Sequence, residues 1–462
     1  MTVRRLQGQV SDAAGATATA ELLVSIGPAS AWDRVLENQV FAGDVVVPDG
    51  ERWLIGPNVQ IAGNLRTVGG TIAMRPGSSL KFLGADPAQY RGGGMTFAPE
   101  FANDIGLWIG PEGVLDIRGT PKTGWNRTGV DPTWNPDDEY WIAPTAVGDY
   151  SPRRWFPGQP IPRVPLPAVL RDRLPWVPLE WWDEGIPAEV MNVTRDIVIE
   201  GPAHIHIHAH TRPQIIQHVT LRNLGVSRAG GPVLGRYALH LHHCGEGSRG
   251  SVVEGVAAVD CRGRVYVPHS SHGVTLRDCV SVNSFAEGFW WDQGDATNDI
   301  VAERLCVSGV FMPRSVSGET NRFDAALLGN GARMEIRHSA VSGARDNDLS
   351  VGWNWISGSS GSALWTFVQG NVAHNNTGPG VRFWNNNRSA HHVQHALTYR
   401  NRRGGIENGA YANSNRYSHM LLLDDHIVQN SNSKAQAVDR GPARHTHVHV
   451  FARDGAAIRV GS

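Results

Sequence analysis

The sequence predicts an all-β protein, a right-handed single-stranded parallel β-helix, and three observations carry that expectation. Short apolar runs recur with one grammar, apolar-x-apolar, a polar turn, then another valine or leucine. They are IVIEG at 197–201, HVTLRNLGV from His218, SVVEGVAAVDC from Ser251, GVTLRDCVSV from Gly273, DIVAERLCVSG from Asp299 and RMEIRHSAVSG from Arg333. Their starts lie roughly 20 to 33 residues apart, the period of solenoids, whereas a sandwich shows turn signals about every 8 to 12 residues. Finally, 53 Gly and 27 Pro interrupt the 462-residue chain too often for long helices. With strands stacked about 4.8 Å apart, one rung cannot enclose a core and shares it with its neighbours.

In chain order, residues 1–37 read as an N-terminal segment. Its opening pair, Arg4 and Arg5, is not followed by the apolar core of about 7 to 15 residues that marks a secretory signal. An extracellular or virion-associated protein is expected, exported by a route not visible in the sequence. Residues 38–119 read as a glycine-rich β region, from DVVVPDGERWLIG to GVLDIRG. Residues 120–187 are rich in proline and tryptophan, with Trp125, Trp134, Trp141, Trp155, Trp176, Trp181 and Trp182. So long a connection belongs to a covering segment whose indoles either seal the coil or offer flat faces to sugar rings. Residues 188–462 carry the parallel β-helix repeats. Cys244, Cys261, Cys279 and Cys306 fall one per repeat, as buried fillers would, rather than as a disulfide framework.

The formal net charge of -1 gives no long-range field for gathering a polyanion, so no nucleic acid partner is expected. No stretch approaches the ~18 apolar residues of a membrane span. Histidine is the unusual residue, with 20 in the chain. In AHIHIHAHT, alternation sends His204, His206, His208 and His210 to one face of a strand and Ile205 and Ile207 to the other. GRYALHLHHCG repeats the pattern with His240 and His242, GRVYVPHSSHG adds His269 and His272, and AEGFWWDQGD adds Glu287, Asp292 and Asp295. Stacked as consecutive rungs, these blocks bring imidazoles and carboxylates within reach of metal ligation or acid-base work. An ungapped overlay sets His269 opposite Leu241, on the wrong face, and a one-residue shift at the turn is needed to restore it.

These blocks carry a resemblance. AEVMNVTRDIVIEG from Ala188, LGRYALHLHHCG from Leu234 and RVYVPHSSHGVTLRDCVSVNSFAEGFWWDQGDATND from Arg264 resemble the β-helix core of the animal cell-surface hyaluronidases and the fibrocystin-like receptors. Upstream, GVLDIRGTPKTGWN at 113–126 resembles the close of their G8 domain. The resemblance implies cleavage of hyaluronan and dependence on a divalent cation, calcium above all. By position His240 and His242 match the family's His-x-His, His269 its histidine one rung on, and Asp292 its acidic residue. Glu287 stands where the family has histidine, and Gln293 where it has aspartate.

The expectation is therefore a polysaccharide-degrading enzyme whose substrate is hyaluronan or a related acidic or amino-sugar glycan. Its catalytic candidates are Glu287, Asp292, His240, His242 and His269. A metal would sit on His240, His242 and Asp292. Arg195, Arg212, Arg236, Tyr237, Trp290 and Trp291 are the candidate substrate contacts, the arginines through bidentate bonds to carboxylates. A polysaccharide lyase uses the same residue types. The reading from a different class is a non-catalytic adhesin or phage tail protein, as a homo-oligomer or within a tail assembly.

Overall fold

The computed structural model describes residues 2–11, 17–26, 32–84, 86–93, 103–228, 231–290, 297–311, 325–328, 333–345, 350–355, 364–383, 391–408, 415–424, 427–430, 444–451 and 458–461. It is a parallel β-helix. Each rung lays one strand on each of three walls. The first two walls share a 24-stranded hydrogen-bonded network and the third holds 13 strands. Strands Val252–Glu254, Thr275–Arg277, Ile300–Glu303 and Arg333–Arg337 succeed one another on the first wall. Ala257–Val259, Val280–Ser284, Cys306–Val310 and Ala340–Ala344 do so on the second.

The polar turn of the repeat is a bend between these walls, and it needs one residue in the left-handed region. His218, Gly255, Asp278, Arg304, His338, Gly370 and His395 occupy it rung after rung, at φ between 49° and 66°. A second stack, with Asn223, Asp260, Asn283, Asn375 and Arg400, closes the second wall in the same way. Asn, Asp and Gly tolerate this conformation best, while other residues give up about 1–2 kcal/mol there. Inside the coil, Ile199, Leu221, Ala258, Val307 and Val341 stack with their third-wall counterparts Ile205, Leu239, Tyr266 and Phe289 as one continuous buried core. The four cysteines are buried and free.

The division expected at residue 188 is not a break in the sheets. Strands from Arg34 onward already belong to the walls: Ser79–Phe82 pairs with Val198–Glu200, Gly106–Ile109 with His204–His208, and Val114–Arg118 with Ile215–Gln217. Residues 38–119 are thus the first rungs of the same coil. The Trp/Pro-rich segment leaves at one bend, after Arg118, and returns at Val198 to complete that rung. It folds back as a four-stranded antiparallel sheet. Trp125, Leu170, Trp182 and Ile186 pack on the outward side chains Val259, Val280, Val282 and Cys306 of the second wall. Its indoles therefore seal the wall, and Trp125 donates its N–H to the Arg304 carbonyl. Strands Thr2–Ser11 and Thr17–Ile26 pair antiparallel in a sheet of their own.

Candidate active site

The histidine-bearing blocks are consecutive strands of the third wall: His204–His208, Leu239–Gly245, Tyr266–Ser271 and Phe289–Trp290. Their alternation puts Ile205, Ile207, Leu239 and Leu241 in the core and the imidazoles outside. The register forms two outward columns. Trp108, His206, His240 and Val267 stand side by side, and beyond them His208, His242 and His269. The shift that His269 required is present, since it lies opposite His242. His210 leaves the expected face because Ala209 turns left-handed and ends the alternation. Its ring reaches the Gly113 carbonyl instead.

Outward does not mean solvated here. His204, His206 and His240 are fully buried, and His242 and His269 are 8% exposed. His208 is half-buried and His243 exposed, so the cluster opens at the second column. Ring centroids lie 4.9 Å apart for His206 and His240, 4.8 Å for His240 and His242, and 4.7 Å for His242 and His269. His206 and His240 both direct Nδ1 at the Gly235 carbonyl, at 3.3 and 3.2 Å. His242 Nδ1 is 3.2 Å from His240 Nε2 and 3.0 Å from His269 Nδ1. Burial, reinforced by the Arg236 cation, pushes His206 down to about 3. Burial and the surrounding imidazoles hold His240 and His242 well below the usual histidine range. His206, His240 and His242 are therefore neutral at physiological pH.

Beside the first column lies a second group. Tyr237 is fully buried between His240, at 4.8 Å, and Trp290, at 5.4 Å. The Arg264 guanidinium lies 3.7 Å over the Trp290 ring, and its Nε is 3.0 Å from Glu287. Glu287 is buried and committed to this ion pair. Asp292, Trp291 and Gln293, together with Asp295, lie outside the described residues.

The expected substrate arginines fare differently. Arg195 is buried elsewhere and spends its guanidinium on the carbonyls of Gly255, Thr194 and Asn192. Arg236 is buried against Asp104 at 2.8 Å. Both guanidiniums are buried, Arg195 on backbone carbonyls and Arg236 on the Asp104 carboxylate. Arg212 is exposed near Glu112. The arginine at the cluster is Arg264, which the sequence reading passed over. The signal was present, since Gly-Arg opens both histidine blocks, at Arg236 and Arg264. His206 and His243 were likewise absent from the candidate ligands and stand within the cluster.

Residues 202–402 match the family model described as CEMIP beta-helix. This part of the chain is similar to that β-helix family. The matched stretch contains the imidazole cluster and the Arg264–Glu287 pair, and agrees with the hyaluronidase-like resemblance of the same blocks. No curated protein matches the chain.

Proposed function

We propose that this protein shortens an acidic or amino-sugar polysaccharide, of which hyaluronan is the model, at the opening lined by His208, His242, His243 and His269. One observation supports the reading above others. Imidazoles from three consecutive rungs are massed beside an Arg264–Glu287 pair, within a stretch of hyaluronidase-like β-helix. Buried polar groups of this density are weak contributors to stability, and a cluster of perturbed titratable groups is a functional-site signature. The long face of a solenoid also suits an extended polymer. Within this reading Glu287 holds Arg264 in place for a substrate carboxylate, and Asp292 remains the carboxylate candidate for proton transfer.

Elimination is the second reading, and it uses the same residue types. A neutral histidine can take the proton α to a uronic carboxylate while a cation neutralises that carboxylate. The test is incubation with hyaluronan, chondroitin and bacterial capsular polysaccharides, with and without chelator, followed by product sizing. The wild type is expected to yield shorter chains, and a Glu287→Gln/Asp292→Asn variant of unchanged melting temperature to yield none. An ultraviolet-absorbing unsaturated sugar marks elimination. Glycan retained but never shortened overturns catalysis in favour of an extracellular adhesin or a virion tail protein.

A further inference from the structure

We infer that His206, His240 and His242 form a nitrogen-donor centre for a divalent transition metal of the zinc class, and not a calcium site. The inference stands on donor geometry alone and does not depend on which glycan, if any, is cut.

The three side chains come from two adjacent strands, and their ligand atoms lie within 4.8 Å of one another. Zinc bound to imidazole at about 2.0–2.1 Å places neighbouring donors about 3.4 Å apart. The His240 Nε2 to His242 Nδ1 separation of 3.2 Å already meets that edge. The remaining donor needs a shift of about 1.4 Å at most to close the triangle.

Proton bookkeeping points the same way. A neutral imidazole carries one N–H and one lone pair. His206 and His240 each use the Nδ1–H on the Gly235 carbonyl, which fixes Nε2 of both rings as the lone pair. His206 Nε2 is buried and meets no hydrogen-bond donor among the described residues, and the same holds for His242 Nε2 as a buried atom without a partner. If His242 carries its proton on Nδ1, it serves His240 and leaves its own Nε2 lone pair buried. If it carries the proton on Nε2, two lone pairs face each other at 3.2 Å and the N–H has no acceptor. Neither tautomer satisfies the cluster, and leaving buried polar atoms unsatisfied is costly. A cation that takes the lone pairs of His206 Nε2, His240 Nε2 and His242 Nδ1 removes the facing lone pairs and leaves only the His242 Nε2–H to find an acceptor. The shared Gly235 carbonyl then plays the orienting part that a ligand histidine's other N–H usually finds.

Calcium does not fit this set. It takes six to eight oxygen donors, whereas these residues supply only neutral nitrogen, the preference of zinc and its neighbours. His242 also belongs to a second group with His243 and His269, so the two triads compete for one ring.

The test uses the full chain, stripped with chelator and titrated with Zn²⁺ against a chromophoric competitor. The expected result is one equivalent bound, undisturbed by excess Ca²⁺. X-ray absorption at the zinc edge should show a nitrogen shell near 2.0 Å with the outer scattering of imidazole rings. Variants His206→Gln and His240→Gln should weaken binding at least tenfold, while His243→Ala, at an exposed position, should leave it unchanged. Absence of zinc binding, displacement by calcium or an oxygen shell at the edge overturns the inference, and these readouts use the wild type, so they hold even if a histidine variant misfolds. Loss of binding in His243→Ala with retention in His206→Gln overturns the assignment to this triad.

Discussion

Histidine serves two different purposes in this coil, and the contrast separates scaffold from site. At the first bend, His218, His338 and His395 stand in the left-handed region where neighbouring rungs use Gly255, Asp278 and Gly370. There the backbone sets the requirement, and the ring stacks on the next rung, as His395 does on His419 at 5.0 Å. On the third wall, His206, His240 and His242 occupy ordinary strand positions where any outward residue would fit, yet they are buried and face one another. A bend histidine answers a backbone requirement that glycine and aspartate meet in neighbouring rungs, whereas the third-wall histidines gather ring against ring. Backbone conformation, more than burial alone, tells the two apart.

Removing the cation behind the cluster should have the largest effect. Arg236→Ala leaves Asp104 charged and buried, and a loss of about 3–5 kcal/mol is expected in urea unfolding. A loss below about 1 kcal/mol would mean that Asp104 is solvated in solution. Acid comes next. An unfolded histidine titrates near 6.5, while burial holds His206 and His391 at about 3. The unfolded chain binds more protons between those values, so the stability these groups contribute is full above pH ~6.5 and is lost as pH falls toward 3. At pH 5 each such group should withdraw about 2 kcal/mol, read as a lower urea midpoint in metal-free protein than at pH 7.5. An unchanged midpoint would place the rings in water. The bend gives the smallest effect. His395→Val should cost about 1–2 kcal/mol through its left-handed backbone, while His395→Asn should stay within about 0.5 kcal/mol. Equal melting temperatures for these two variants would remove the distinction between the bends and the third wall.

The repeat grammar was legible because the bend imposes it: every polar turn in VVEG, TLRD, VAER and EIRH holds the residue that turns left-handed. The outward histidines were legible through strand alternation, up to Ala209, where a single left-handed residue ended it. The unity of residues 38–119 with the later rungs was not legible. The pairing of Ser79–Phe82 with Val198–Glu200 skips the whole covering segment, and no local pattern reports so distant a contact. Nor did identical Gly-Arg openings reveal that Arg236 meets Asp104 while Arg264 meets Glu287. Those partners come from other rungs, which only the register brings together.

The most direct measurement of whether the third-wall cluster is the reaction centre is hyaluronan chain length after incubation with His240→Gln and, in parallel, His395→Asn. Loss of shortening in His240→Gln alone, with both variants folded, is the expected result. Shortening by a folded His240→Gln at the wild-type rate would contradict it.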